Sequence, residues 1–319
     1  MTIKGNKIGT DVGATSAWAN LIGIKLSPDN LGKEPTGVLI DNNIIAGNEA
    51  YGINSTIKEK VEMRNNHIGV NINGLPVPNK HGATFENTAS ESHDDTFAPN
   101  SETGLAVYGN QAVTVVSPSI YENGDETHLE GFIYENPPIA EPSKVFALRY
   151  RPDENNRTRV LIAVAPPKVA NATVEIFGNR STTEFQGRTA LDRGNVVADQ
   201  PFLKEWELSA DSSIALMDNF TAIYTIGGKT SEFSEPAEVQ EVIVPDLRMS
   251  APVDNRITLS WSLLEYFRIT SSPNPEGPWE PIDLDPEKAN GLYTQEIELT
   301  ESAQFFRLEL DITAVFDYN

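Results

Sequence analysis

Three aspartates and one arginine in the first quarter of the chain have side chains suited to acid–base chemistry on a sugar. Asp11, Asp29 and Asp41 could donate or accept a proton, and Arg64 could stabilise developing negative charge. Such a site needs two or three carboxylates close together, yet Asp29 and Asp41 stand near turns and no cluster is evident from the spacing. We therefore predict no catalytic residues, and polysaccharide cleavage stays open as the alternative.

Side chains that could bind a metal are few. The chain has no cysteine, which excludes disulfides, thiolate nucleophiles and Cys-based zinc sites. The four histidines show no metal-ligand spacing; they are His67, His81, His93 and His128. We expect no cofactor.

Aromatic side chains could form a sugar-binding platform, since flat rings stack against the apolar faces of sugars. Trp206 and Trp261 lie within alternating strands and are predicted to be core residues. Trp18 falls in a turn, where no packing role is evident, and is the weak candidate for sugar stacking. The other aromatic residues considered are Tyr121, Tyr134 and Trp279.

The elements that would position these residues repeat along the first quarter of the chain. From Asn6 to Asn79 the theme is Asn, a spacer, an aliphatic residue and Gly, followed by a Gly-aliphatic pair that opens a short strand. "NKIGTDVGATSAWAN" and "NHIGVNINGLPVPN" are imperfect copies, with Ile8 and Ile68 60 residues apart and "NNIIAGNEAYGI" between them. Short strands at this spacing predict a solenoid of parallel strands. We call each complete winding a coil.

The residue types fit such coils. Isoleucines are predicted to point inward and stack about 4.8 Å apart along the axis, whereas asparagines suit the bends, because Asn tolerates a left-handed backbone and its amide can bond the next Asn. The residues predicted to stack, and to form an assembly surface at the first coil, are Ile8, Ile44, Ile68, Asn6, Asn43 and Asn66. Antiparallel hairpins with Asn-Gly turns are the alternative.

After the repeats, the pattern of predicted strands changes twice, near residue 110 and near residue 246. We predict coils over 1–85, a polar connector over 86–109, an antiparallel β-sandwich over 110–245 and a smaller sandwich over 246–319. Alternation in "ATVEIFGN" and the Gly227-Gly228 pair between extended runs support antiparallel strands. The segment from Tyr134 to Ala170 is interpreted as an insertion. The predicted fold class is all-β.

The first 79 residues resemble the terminal coils of the right-handed parallel β-helix, pectin-lyase-like, of large secreted bacterial surface proteins. "IGTD", "NNIIAGN" and "GI" carry this resemblance. "ATVEIFGN" and "GGKTSEFS" resemble the immunoglobulin-like module that follows the helix in that family. "LSW", "GPW" and "FFRL" resemble a C-terminal module, here expected to be fibronectin III-like. About three coils are expected, as the downstream part of a longer chain. Proteins of that family tend to carry an Asp/Asn-rich segment before the next domain, so the resemblance implies calcium as the alternative to no cofactor. The candidate ligands are Asp94, Asp95 and Asn100, although the regular alternation of acids is missing here.

The charge and apolar content of the sequence limit the classes of partner that the protein can have. A net charge of −22 disfavours nucleic acid and anionic membranes, and no run approaches 18 apolar residues. We predict a noncatalytic extracellular or cell-surface structural or adhesion protein, which assembles end to end or stacks on upstream coils. The alternatives are a polysaccharide-active β-helix enzyme and a carbohydrate-binding protein.

Overall fold

In a computed structural model, the regular secondary structure of the described residues consists of short β-strands and one 3₁₀ turn, Ser213–Leu216. The structure describes residues 1–109, 111–124, 130–134, 142, 144–151, 158–167, 171–180, 186–209, 212–244, 246–262, 267–282, 284–299, 304–311 and 316. These residues form two compact units, and each is described separately. The first comprises 1–149 and 159–240, and the second comprises 150–158 and 241–319.

Fifteen strands at the start of the first unit pair with one another in parallel. They are β1 (Thr2–Lys4), β2 (Lys7–Ile8), β3 (Ile22–Leu26), β4 (Val38–Asp41), β5 (Ile44–Ile45), β6 (Tyr51–Ser55), β7 (Val61–Arg64), β8 (His67–Ile68), β9 (His81–Glu86), β10 (Ser90–His93), β11 (Thr96–Phe97), β12 (Thr103–Tyr108), β13 (Val113–Val116), β14 (Ser119–Ile120) and β15 (Glu130–Tyr134).

Three parallel five-stranded sheets result, with orders β1-β4-β7-β10-β13, β2-β5-β8-β11-β14 and β3-β6-β9-β12-β15. Each run of three consecutive strands therefore contributes one strand to every sheet, which makes five coils. This arrangement is compatible with a parallel β-helix. The two-residue strands β2, β5 and β8 hold their register only because the neighbouring coils fix it.

The core of these coils consists of columns of stacked side chains. Ile8 pairs with Ile45, Ile45 with Ile68, and Ile68 with Phe97, and all but Ile8 are completely buried. Ile8 is only partly buried, because it belongs to the first coil. One continuous hydrophobic cluster runs from Ile24 to Phe132 through all five coils. Burial of aliphatic side chains is the main source of stability for such a stack.

The sequence predictions for the coils are wrong at four points. Five coils occur where about three were expected, and β13, β14 and β15 of the coils lie within the predicted sandwich over 110–245. Ile44 does not stack with Ile8 and Ile68; it pairs with Lys7 and His67 in an outward column, and Ile45 takes the inward position. A shift of one residue moves a side chain to the other face of a strand. The predicted connector over 86–109 is also wrong, because it contains the whole of β10, β11 and β12. Serine and threonine there are buried in the stack, as at Ser90, Ser92 and Thr103.

Coils differ in the loop between their second and third strands. In the first and third coils the loops are long, and they contact each other past the short corner of the second coil. Ile72 N–H donates to Ala14 O at 3.1 Å, and Asn71 Nδ2 donates to Thr15 O at 3.2 Å. The two sequence copies found 60 residues apart are therefore neighbours in space.

The rest of the first unit is an eight-stranded sheet with order β19-β18-β21-β23-β16-β17-β20, in which β22 pairs with β21. The neighbours β19-β18, β18-β21, β21-β23 and β17-β20 pair antiparallel. Val174, Ile176, Phe220 and Ala222 contribute to its core. Its strands are β16 (Val145–Tyr150), β17 (Arg159–Val164), β18 (Ala172–Asn179), β19 (Thr189–Val196), β20 (Phe202–Glu207), β21 (Asn219–Ile226), β22 (Lys229–Thr230) and β23 (Ala237–Val242). Residues 135–141, 143, 152–157 and 168–170 of the expected insertion lie outside the described residues.

The second unit has a four-stranded sheet, β24-β25-β29-β28, and a three-stranded sheet, β27-β26-β30. Both sheets contribute to one hydrophobic cluster, which includes Leu259 and Trp261 from the first and Ile269 from the second. The strands are β24 (Arg248–Met249), β25 (Arg256–Ser262), β26 (Phe267–Ser272), β27 (Glu280–Pro281), β28 (Glu287–Ala289), β29 (Leu292–Glu298) and β30 (Phe305–Leu310). Within the described residues of this unit, neighbouring strands pair antiparallel.

Gly69 tests how tightly successive coils pack. Its φ is +99°, and a Cβ there would lie 2.6 Å from Pro99 O in the next coil. Gly69→Ala should therefore lower the free energy of unfolding by about 2 to 4 kcal/mol, through backbone strain and overpacking. Gly74→Ala is the control, because its φ of +71° is also positive but no atom lies within 4 Å of the position that a Cβ would take. This variant should lower the free energy of unfolding by about 1 kcal/mol, through backbone strain alone. Equal losses in urea titrations of the two variants would contradict the packing argument.

Candidate functional site

A ladder of side-chain amides runs through the bend between the first two strands of each coil. Asn6 donates its backbone N–H to Asn43 Oδ1 at 2.9 Å, and Asn43 donates in the same way to Asn66 Oδ1 at 3.0 Å. The side-chain Nδ2 groups of Asn6 and Asn43 donate to the same two oxygens. Asn66 donates both its backbone N–H and its Nδ2 to Asp95 Oδ1, at 2.7 and 2.8 Å. This first ladder therefore consists of Asn6, Asn43, Asn66 and Asp95.

A second ladder runs before the third strand of each coil. Asn48 donates its backbone N–H and its Nδ2 to Asn79 Oδ1 at 3.0 and 2.8 Å, and Asn100 donates both to Asn123 Oδ1 at 2.9 Å. Asn20 and Asn79 donate only their Nδ2 groups to the next member of the ladder, which is Asn48 Oδ1 and Asn100 Oδ1 respectively. Asn123 then donates to Gln186 Oε1, at 3.2 and 3.0 Å. The members of this second ladder are Asn20, Asn48, Asn79, Asn100, Asn123 and Gln186.

Both ladders have a direction. At every step the earlier coil donates N–H groups and the later coil accepts them on one side-chain oxygen. Inner members are fully buried or nearly so, as at Asn43, Asn66 and Asn79. Because an unpaired buried N–H costs about 1 to 3 kcal/mol, these side chains satisfy the backbone where the strands are interrupted by a bend.

The left-handed bend and the ladder use adjacent residues. Gly5, Asn42, Asn65, Asp94 and Ser117 have φ between +48° and +67°, and each directly precedes the ladder position of its coil. The sequence reasoning assigned both roles to one asparagine, whereas the structure divides them between two residues. The bend position accepts Gly, Asn, Asp or Ser, while the next position carries a side-chain oxygen in four of the five coils.

The antiparallel part of the first unit closes the last coil. Ile120 N–H donates to Gly187 O at 2.7 Å, and Val115 N–H donates to Thr230 Oγ1 at 2.9 Å. Phe233 packs against the coil core. Gln186 both ends the second ladder and returns a hydrogen bond from Nε2 to Asn123 O at 3.0 Å. The last strands of two sheets, β13 and β14, are thus covered by the same polypeptide.

Two buried carboxylates lie near this closed end. Glu175 is 1% exposed; its Oε2 accepts the Ser117 N–H at 2.7 Å and its Oε1 lies 3.3 Å from Arg193 Nε. Burial raises the pKa of Glu175. Asp95 is completely buried and accepts a third hydrogen bond, from Ser92 Oγ at 2.7 Å. Burial is the largest influence on Asp95 and raises its pKa to about 6, against the hydrogen bonds that favour the charged form.

The first coil is different. β1, β2 and β3 are edge strands of their sheets. Among the described residues no donor reaches Asn6 Oδ1 or Asn20 Oδ1, whereas the equivalent oxygens of later ladder members are used as acceptors. Both asparagines are exposed, and Ile3 and Ile8 are only partly buried. We call this surface, formed by β1, β2, β3, Asn6 and Asn20, the open edge.

The carboxylates considered for catalysis are engaged in local structure. Asp11 Oδ1 accepts the Thr15 N–H at 2.7 Å, and this bond is the main reason that the pKa of Asp11 is lowered. Asp29 Oδ1 accepts two backbone N–H groups of its own loop, and Asp41 pairs with Lys4 at 2.6 Å. Arg64 pairs with Glu62 at 3.3 Å. In the described part of the chain, no three His, Cys, Asp or Glu side chains are grouped so as to hold a metal ion.

The calcium candidates do not form one site. Asp95 belongs to the first ladder and Asn100 to the second, and their side-chain oxygens accept hydrogen bonds from Asn66, Ser92 and Asn79. Asp94 is exposed at the bend. Of the histidines, His81 lies 3.3 Å from Glu102 and His93 lies 2.8 Å from Glu91. His128 lies outside the described residues.

The aromatic residues fall into two groups. Trp261 is buried and stacks on Tyr293 with ring centroids 5.5 Å apart, and Trp206 is half-buried against the sheet core. Trp18 is 75% exposed. Tyr121 and Trp279 each lie beneath an arginine, Arg188 and Arg307 respectively; the side chain of Tyr134 is outside the described part. Trp18 therefore presents a largely free ring surface in the first unit.

Sequence reasoning missed most of the second ladder. Asn20, Asn48 and Asn79 each lie two or three residues before the third strand of their coil, and this recurrence is visible in the sequence. Gln186 had no such signal, since it lies 63 residues after its partner Asn123. Thr230 likewise lies 115 residues after Val115.

Comparisons with known proteins identify no family for the chain. No family model matches it, and no curated protein matches it significantly. A solved chain described as "Cytokine receptor complex - Crystal form 2" is 10% identical, with a TM-score of 0.21, and the alignment covers 52% of this chain and 87% of that chain. At that TM-score the likeness carries no argument.

In the described residues, no helix combines the length and apolar character needed to cross a bilayer.

Asp95→Asn should stabilise the protein at neutral pH. The folded pKa of about 6 lies above the reference value of 3.8, so the wild type binds an extra proton on folding and loses stability as pH rises from about 4 to about 6. Since one pKa unit corresponds to about 1.4 kcal/mol, the ionised carboxyl costs up to about 3 kcal/mol. The uncharged amide would avoid this cost while keeping the Oδ1 acceptor. Urea unfolding at pH 4 and pH 7 should show a gain of about 1 to 3 kcal/mol only at pH 7.

Asp94→Asn is the matched control for that measurement. Asp94 is the adjacent, exposed bend residue, and Asn occupies the same bend in two other coils. It should change stability by less than about 0.5 kcal/mol. A gain that is equal at both pH values, or equal in the two variants, would contradict the ionisation argument.

Gln186→Ala should show that the closed end stabilises the coils. The substitution leaves the backbone N–H and Nδ2 of buried Asn123 without their acceptor, at a cost of about 1 to 3 kcal/mol. Asn20→Ala removes the first member of the second ladder, at the opposite end of the stack. It loses only the hydrogen bond from Nδ2 of the exposed Asn20 to Asn48 Oδ1, which is 3.3 Å long. The free energy of unfolding should therefore fall by less than about 1 kcal/mol. Equal losses in denaturation curves would mean that Gln186 is not an end cap.

Proposed function

We propose that this chain is a noncatalytic extracellular or cell-surface structural protein in which a stack of parallel coils acts as a rigid spacer. The single observation that carries the proposal is the asymmetry of the stack. Two buried ladders run through the coils, the antiparallel part of the same unit covers the last coil, and the first coil keeps unused acceptors. A spacer needs such a continuous core and one terminated end.

The absence of a catalytic role is supported by the use of the polar side chains. The acids of the first three coils that could act on a substrate are held by loop N–H groups or by Lys4. The buried acids, Asp95 and Glu175, accept backbone N–H groups and lie at the closed end. Side chains with these structural tasks are poor candidates for proton transfer to a bound sugar.

For the finer fold we propose a right-handed, pectin-lyase-like parallel β-helix, followed by an immunoglobulin-like and a fibronectin III-like module. The three parallel sheets with one strand per coil support the helix. The antiparallel pairs among β17 to β30 and the core shared by the two sheets of the second unit support the modules. The charge of −22 and the lack of cysteine are compatible with a secreted acidic surface.

Assembly or adhesion would then occur at the open edge. Edge strands with unpaired backbone groups favour pairing with another strand, whereas β13 and β14 at the other end are already covered. End-to-end growth is therefore proposed through the open edge only. Upstream coils or a neighbouring subunit are both compatible with this proposal.

Carbohydrate binding is the second candidate function. It rests on Trp18, a residue that is 75% exposed although tryptophan is usually well buried. In this version the coils carry a surface ring that stacks against a glycan. Binding to a glycan array that is lost in Trp18→Ala would favour this candidate.

The purified chain should release no product from acidic polysaccharides. Polygalacturonate, alginate and related polyuronates are incubated with the chain, with and without calcium, and unsaturated and reducing ends are measured. A known polyuronate lyase serves as the positive control. Product formation that depends on Asp11, Asp29 or Asp41 would replace the structural proposal with the enzymatic one.

A further inference from the structure

We propose that Glu175 is a pH-sensitive latch at the closed end, which holds the antiparallel part of the first unit against the last coil in acid and loosens that contact as the pH rises. The latch is the hydrogen bond between the Glu175 carboxyl on β18 and the backbone N–H of Ser117 at the bend of the last coil. This inference concerns how one part of the unit is held to the other, and it stands whether or not the chain serves as a spacer.

Glu175 supplies an acceptor that the following coil supplies elsewhere in the stack. At the same bend position of the second, third and fourth coils, the N–H donates to a backbone oxygen of the next coil. The donors are Asn42, Asn65 and Asp94, and the acceptors are Arg64 O, His93 O and Val116 O respectively. Ser117 occupies this position in the fifth coil, with a φ of +48°, and its N–H reaches Glu175 Oε2 at 2.7 Å. A neutral backbone acceptor is therefore replaced by a group that can gain or lose a proton.

Other backbone donors at the closed end have acceptors that do not titrate. These acceptors are the Thr230 hydroxyl for Val115 N–H, Gly187 O for Ile120 N–H and the Gln186 amide for Asn123 N–H. An ion pair between Arg188 and Glu122 also joins the two parts, but the Glu122 side chain is 53% exposed, so its charge stays in contact with water. Among these contacts, the change of charge falls on a buried group at Glu175.

Ionisation of Glu175 is costly in this position. The residue is 1% exposed, and its Oε1 lies 3.3 Å from Arg193 Nε without an aligned hydrogen bond. Burial is the largest influence and raises the pKa of Glu175, against the Ser117 N–H that favours the charged form. Because the folded pKa is raised, the contact keeps its full stability below the ordinary value of 4.5 and loses it as the pH rises through the folded pKa.

The charges around Glu175 act in opposite directions. Arg193, which pairs with it across β18 and β19, favours the ionised form, and so does His93 on the fourth coil. Asp94, at the bend of the fourth coil, disfavours it by repulsion. On β21 the residue opposite Glu175 is Ile223, which carries no charge. Other charged side chains on β10 and β19 are paired, Asp192 with Lys204 and Glu91 with both His93 and Lys60.

The ionised carboxylate regains water when the antiparallel part separates from the last coil at Ser117. Deprotonation therefore favours an open arrangement, in which N–H groups of the last coil exchange with solvent. Protonated Glu175 still offers a carboxyl oxygen to the Ser117 N–H, so the closed arrangement is retained in acid. The net charge of −22 acts in the same direction, because repulsion between carboxylates favours less compact states.

Amide hydrogen exchange at Ser117 measures the latch directly. It is followed residue by residue from about pH 5.5 to about pH 8.5, in the full chain carrying Asp95→Asn, which removes the other buried carboxyl; each rate is divided by the intrinsic rate at that pH. Protection of Ser117 and Ile120 should fall by at least about threefold over this range. It should also stay below that of Gly69, whose N–H donates to Ile45 O inside the coils. Constant protection at Ser117, or protection equal to that of Gly69 at every pH, would overturn the proposal.

Glu175→Gln tests whether this carboxyl is the titrating group. The amide keeps an oxygen for the Ser117 N–H but carries no charge, so protection at Ser117 should become independent of pH. Glu122→Gln is the matched control, because Glu122 is an acid of the same closed end with an exposed side chain, and it should leave the pH dependence in place. Persistence of the dependence in Glu175→Gln, or its loss in Glu122→Gln, would assign the effect to another group and overturn the proposal.

Variants of the neighbouring charges should move the pH at which protection is lost. Arg193→Gln removes support for the ionised carboxyl and should move the midpoint upward, whereas Asp94→Asn removes repulsion and should move it downward. Because both variants keep Glu175, they test the latch even where Glu175→Gln is too unstable to study. Unchanged midpoints in both would contradict the proposal.

His93→Gln separates the two titrating groups that lie near this contact. His93 can change charge near neutral pH, and its removal should move the midpoint upward while the pH dependence remains. Loss of the dependence in His93→Gln would make His93 the titrating group and overturn the proposal. These exchange measurements need no ligand, partner or substrate, so their outcome is separate from the assays of the proposed function.

Discussion

The structure depends on supplying hydrogen-bond acceptors to backbone N–H groups at bends inside a dry stack. In a straight parallel sheet the neighbouring strand supplies them, but each coil here bends twice between short strands. Asn43, Asn66 and Asn79 meet this need with one oxygen that takes both a backbone N–H and a side-chain N–H from the coil before. The neighbouring glycines follow from the same constraint, because a Cβ at Gly52 would lie 3.0 Å from Asn79 Nδ2.

This requirement explains what the sequence could predict. Asn, Ile and Gly at fixed offsets indicate parallel coils, because a ladder amide, an inward aliphatic and a glycine are needed there in that order. The register error at Ile44 arose from the doublet Ile44-Ile45, where both residues are aliphatic. Alignment on the asparagines would have resolved it, since the inward residue is two positions after Asn6, Asn43 and Asn66 in every case.

The fourth and fifth coils could not be recognised in the same way. In the fourth coil, the inward and ladder positions include Ser90, Ser92, Asp95 and Phe97 in place of the usual valine, isoleucine and asparagine. A polar sequence is interpreted as a connector unless its partners are known, and here the partners of Ser92 and Asp95 are each other and Asn66. The covering of the last coil depends on contacts between residues far apart in the chain, such as Asn123 with Gln186. A local sequence pattern carries no information about such contacts.

The contact between the long loops of the first and third coils has a further implication. Both loops leave the stack at the same corner, and Asn71 and Ile72 bond to Thr15 and Ala14 without passing through the core. Additional residues at that corner would therefore extend the loops on the outside of the stack, while the buried side-chain columns keep their spacing. Loop length and surface character can therefore change at this corner without altering how the stacked strands pair.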